Sequence, residues 1–95
     1  MGFTTIHSTQ LSASGSVKSG TARVKSIYVA HSGTAGTVIL RDGGVTGTVR
    51  CTINTAAAVG EYQTEIPEPG IHCTSTTGPY IAVTGGVSFV TVFYD

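Results

Sequence analysis

The feature that most narrows what this chain can become is its punctuation. Glycine breaks the sequence about every ten residues, and the stretches between are dominated by Val, Ile and Thr, whose branched Cβ suits extended backbone better than helix. The one alanine run, TAAAVG at 55–60, is too short to stand alone as a helix. The chain is therefore expected to be all β. About seven or eight short strands with turn signals every eight to twelve residues predict a single-domain antiparallel β-sandwich or jelly-roll-like fold spanning residues 1–95.

Individual strands follow from alternation of apolar and polar residues. The expected strands are 3–7, 22–32, 37–42, 47–54, 61–66, 70–75, 79–84 and 87–94, with the Ser/Gly-rich stretch 8–21 an irregular arm or loop. GTAG at 33–36 and GG at 85–86 read as hairpin turns, since glycine tolerates the positive φ that tight hairpins require. DGG at 42–44 and PEPG at 67–70 are turn signals of the same kind. In 22–32 the apolar phase slips, because Val24 alternates with Ser26 and Tyr28 while Ile27 and Val29 fall on the other side. A bulge near Lys25 and Ser26 restores one buried face. In 47–54 the alternation is clean, with Val49, Cys51 and Ile53 on one side and Thr48, Arg50 and Thr52 on the other.

The last strand, VSFVTVFY (87–94), is apolar on both faces. Phe89 and Phe93 are expected to fill the core, leaving Val90, Val92 and Tyr94 in need of a cover. Either the 8–21 segment or a loop folds over them, or a second subunit does. The second option marks Val90, Val92 and Tyr94 as an interface, joined by Phe3 and Ile6 if the N-terminal strand is exchanged between copies.

Charge supports assembly over solitary existence. Only 11% of residues are charged, against about a quarter in ordinary soluble domains. Five acidic residues balance five basic ones, so the basic footprint of a protein that grips phosphate backbones or anionic lipid is missing. Neither nucleic acid nor a membrane is an expected partner. No apolar run approaches the roughly 20 residues of a spanning helix, and MGFTTIHSTQ lacks the pattern of a secretion signal.

Chemistry is harder to find. Cys51 and Cys73 are too far apart in sequence for a zinc knuckle or a redox pair, and both read as buried thiols, with a disulfide the alternative. His72 and Cys73 are adjacent and so face opposite sides of a strand, and no His-x-His spacing occurs. Asp42 has no acidic neighbour to share a calcium ion. No nucleophile elbow or phosphate loop is present, so neither an enzyme nor a cofactor is expected. Tyr28, Tyr62, Tyr80 and Tyr94 could stack on sugars, but each also fits a packing face, and the chain has no Trp.

The run ARVKSIYVAHSGTAGTVILRDGG, then TVRCTINTAA, IPEPGI and YIAVTGGVSFVTVFY, resembles the small all-β structural proteins of tailed bacteriophages, marine ones in particular. The resemblance extends from Ala22 to Tyr94 and rests on fold markers, so it transfers no functional residue. It implies a non-catalytic, multi-copy component of the virion, most simply one that decorates or cements the capsid. Its partners would be other copies of itself, in a trimer or higher symmetric assembly, and the major capsid protein. A position at the head-to-tail junction or tail, or a glycan-binding adhesin module on the virion surface, is the alternative.

Overall fold

A computed structural model describes residues 6–67 and 69–95, with Tyr62 described by its backbone alone. The chain forms β1 (His7–Leu11), β2 (Gly15–Ser16), β3 (Ala22–Asp42), β4 (Thr48–Thr55), β5 (Gly60–Glu65), β6 (Ile71–Cys73) and β7 (Pro79–Tyr94), with every pairing antiparallel. The expected strand at 3–7 begins at His7 instead and runs into the stretch expected to be irregular; residues 3–5 lie outside the described region.

Two strands are far longer than anticipated. β3 and β7 pair with each other from Val24 opposite Tyr94 to Asp42 opposite Pro79, interrupted only by local register shifts. The GTAG and GG segments are therefore not hairpin turns. They face each other: residues 32–35 bulge out of β3 opposite Gly86, the one residue of β7 between the partners of His31 and Gly36, and Ser88 is skipped just before it where Ala30 opposes Phe89 and His31 opposes Val87. Glycine here lets two strands bend in concert rather than reverse.

That bend folds the sheet in half. Straight, the 21 residues of β3 would reach about 69 Å at 3.3 Å each, yet the longest dimension of the molecule is 43 Å. The two ends of β3 instead meet. Ala22 pairs with Cys73, and the carboxylate of Asp42 accepts hydrogen bonds from the next two amides, Thr74 N at 3.0 Å and Ser75 N at 3.1 Å. Two layers result. The front sheet runs β1, residues 87–94 of β7, residues 22–31 of β3, then β5 and β6 end to end. The back sheet runs β2, residues 79–84 of β7, residues 36–42 of β3, then β4. Four strand tracks cross between layers together, which is the arrangement of a jelly roll.

The core lies between the layers. Val24, Ile27, Val29, Val90 and Val92 from the front and Val38, Leu40 and Ile81 from the back are wholly inaccessible, and Ile53 and Val17 close the edges. The bulge foreseen near Lys25 is present: the register against β7 shifts between Val24 and Ser26, which places Val24, Ile27 and Val29 together in the interior. A bulge in β4 was not foreseen. Leu40 opposes Cys51 but Arg41 opposes Val49, so the extra residue, Arg50, turns Val49 out of the core phase and leaves it 48% exposed.

The corner is stitched by side chains. Ser32 Oγ donates to Gly86 O at 3.0 Å, and the buried Thr55 Oγ1 accepts from Gly36 N at 2.8 Å. His31 Nδ1 donates to the carbonyl of Ala58, which fixes the proton on that nitrogen. At the opposite end Asp42 performs the same service. Asp42→Ala is expected to cost about 2 kcal/mol, since hydrogen bonds to a charged acceptor contribute about 1.5–3 each and the freed amides regain water. Urea denaturation would register this as a lower midpoint at unchanged m.

Candidate functional site

The expected interface residues separate. Val90 and Val92 are completely buried inside the chain, so neither is available to a partner. Cross-strand register gives the reason: Val90 sits opposite Val29 and Val92 opposite Ile27, and this row of β-branched residues packs against the back sheet. The cover is thus internal, supplied by the second half of the folded sheet, to which the 8–21 segment contributes β2 and the buried Val17 at the edge. Tyr94 is partly buried at the end of the same face, stacked on His7 with ring centroids 5.6 Å apart. Ile6 is 50% exposed beside β1. Phe3 lies outside the described residues.

Phe89 and Phe93, expected in the core, lie on the outer face of the front sheet. Each is opposite a small residue of β3, Phe89 facing Ala30 and Phe93 facing Ser26, while Thr91 between them faces Tyr28. Tyr28 and Phe89 pack with centroids 6.1 Å apart. β5 adds Glu61, Gln63 and Glu65 to this face, opposite Ala30, Tyr28 and Ser26. Gln63 Nε2 donates to Ser26 Oγ at 2.9 Å, so the buried serine hydroxyl is satisfied. A hydrogen bond to Glu61, with lesser help from desolvation and the same negative charge, raises the Tyr28 phenol above its usual pKa. Tyr28, Phe89 and Phe93, each half-buried, thus share one outer face with a carboxylate and an amide along one side.

The outer face of the back sheet is milder. Ile39 lies between Ala82 and Thr52, and Arg41 between Tyr80 and Val49. The Arg41 guanidinium donates to Gly47 O at 2.9 Å, which holds it along the sheet.

Both cysteines are free thiols. Cys73 is fully buried; that burial, and next the negative charge of Asp42, pushes its thiol up to about 11, with Arg50 pulling weakly the other way. Cys51 is half-buried, and desolvation raises it too. A thiol whose pKa rises on folding favours the folded state while it stays protonated. Its contribution is complete below the unfolded value of 9.0 and is lost as pH climbs through about 11. Stability is therefore expected to decline between those limits, less steeply in Cys73→Ala. Native-state alkylation near neutral pH should label Cys51 first and Cys73 only after unfolding.

Among the described residues no three His, Cys, Asp or Glu side chains converge as metal ligands, and no pocket opens. The chain's distinguishing surface is its outer aromatic face. Comparison with family models, with characterised proteins and with solved structures finds no match.

Proposed function

We propose that this chain is a non-catalytic, multi-copy structural protein of a tailed-phage virion that uses the outer face of its front sheet as a protein–protein interface, with capsid decoration or cementing as the first assignment. The observation that carries the reading is the placement of Phe89, Phe93 and Tyr28 on one outer face. Aromatic residues clustered at the centre of a patch, with polar groups around them, are what interfaces between proteins concentrate. The jelly roll adds support by fold-level analogy, since capsid domains use it, as do lectins and other unrelated proteins. The sequence resemblance over residues 22–94 points the same way. Mass spectrometry of purified virions from the phage that carries the gene is the test. Many copies per particle are expected, and absence from the particle would remove the assignment.

One observation favours a glycan-binding module as the second reading. The Tyr28 and Phe89 rings lie beside Glu61 and Gln63, and an aromatic platform next to hydrogen-bonding side chains is the chemistry that holds a sugar ring. Binding on a glycan array that disappears in Phe89→Ala, with virions lacking the protein unable to adsorb, would move the assignment to this reading.

A further inference from the structure

We infer that copies of this chain associate front to back: the aromatic outer face of one copy's front sheet seats on the outer face of the next copy's back sheet. The inference rests on the multi-copy reading above and specifies the surfaces it uses.

Size is the first reason. The front face projects Phe89, Phe93 and Tyr28, whereas the back face presents Ala82, Ile39 and Thr52 at its middle. Bulky side chains opposite small ones interdigitate, whereas rings pressed against rings hold two sheets apart. Twisted sheets stack face to face about 10 Å apart, so an added copy repeats the layering already present within one chain.

Charge is the second. Glu61 and Glu65 rise from β5 on the front face, and Glu61 stands directly beside the rings. The other charges near that face are Arg23 and Asp95, 3.9 Å apart at the far end, and Lys25 in the bulge next to Gly70. The back face carries Arg41 and no carboxylate among its described residues. A front-to-front pair would gather Glu61 and Glu65 of both copies, four carboxylates, at one contact, and like charges in a closing interface are costly. Front-to-back contact places those carboxylates toward Arg41. Because the two surfaces differ, the contact is heterologous, and it continues until a ring closes or a filament grows.

The test uses two single variants of the full chain, each checked for folding by circular dichroism. Phe89→Glu blocks the front and leaves the back free. Ala82→Arg blocks the back and leaves the front free. Sedimentation of the unaltered chain at rising concentration should show species heavier than the monomer, and each variant alone should lose them. Mixed in equal amounts, the two variants should recover one contact and stop at a one-to-one dimer. Self-association that survives Ala82→Arg but not Phe89→Glu, with no dimer on mixing, would show a front-to-front interface and overturn the inference, as would an unaltered chain that stays monomeric at every concentration. A monomer still found in many copies on purified virions would remove this inference and leave the proposed function standing; front-to-back assembly of a chain absent from virions would do the reverse.

Discussion

Val92→Lys is expected to yield a chain that does not fold, rather than a folded chain that fails to assemble. Val92 is wholly inaccessible and lies opposite Ile27 in the middle of the front sheet. An ammonium placed there has no carboxylate to meet, and burying an unpaired charge costs several kcal/mol even after the structure relaxes. A small domain has only about 5–15 kcal/mol in total. Val92→Ala removes two methyl groups and is expected to cost about 2 kcal/mol from lost burial and the cavity left behind. Phe89→Ala, on the outer face next to the buried Val90, should cost about 1 kcal/mol, chiefly from the lost packing on Tyr28. Far-UV circular dichroism and urea midpoints separate these outcomes. A Val92→Lys protein with an unaltered midpoint would return Val92 to the surface.

The second large effect is at the corner. Gly85→Val is expected to lower the melting temperature by more than about 12 °C, corresponding to a loss of roughly 3 kcal/mol or more at about 4–8 °C per kcal/mol for a domain of this size. Gly85 has a φ of +71°, and a Cβ there would collide with the carbonyl of Ala35 and come within 2.7 Å of the Gly36 Cα. Both obstacles are backbone, so neither can rotate away. Gly33→Ala is the matched control, because a Cβ at Gly33 has nothing within 4 Å. It should melt within a few degrees of the unaltered chain. If Gly85→Val melted like Gly33→Ala, the bend would not depend on close backbone approach at this position.

These two sites also show where the sequence was legible. The slip of apolar phase between Val24 and Ile27 is a local signal, since a break in alternation has one common remedy, and the bulge at Lys25 supplies it. The bulge in β4 left no such trace. Val49, Arg50 and Cys51 alternate in good order, and the shift arises because β4 must follow β3 past Leu40. The glycines at 33–36 and 85–86 were legible as places where the backbone departs from a regular strand. Whether such a place reverses the chain or bends it depends on what lies opposite, and here each segment lies opposite the other.

The aromatic face was misassigned for a similar reason. Alternation placed Phe89 and Phe93 on one side of the last strand and Val90 and Val92 on the other, and the structure keeps that separation. Larger side chains suggested the core. Yet the neighbours in β3 are Ala30 and Ser26 beside the phenylalanines but Val29 and Ile27 beside the valines. The interior goes to the side whose cross-strand partners are also apolar, because burial acts on the whole row and not on one residue.

By itself, then, the sequence determined that the chain is all β, that its backbone departs from a regular strand near Lys25 and at the paired glycine segments, and, away from the Arg50 bulge, which residues share a face, because each of these follows from steric preferences within a few residues. Which face is inside, which strands are continuous and which rings are left for a partner were decided only by the tertiary structure. Those choices rest on pairing between residues as distant as Val24 and Tyr94, where register and the folding of one sheet over itself set the outcome.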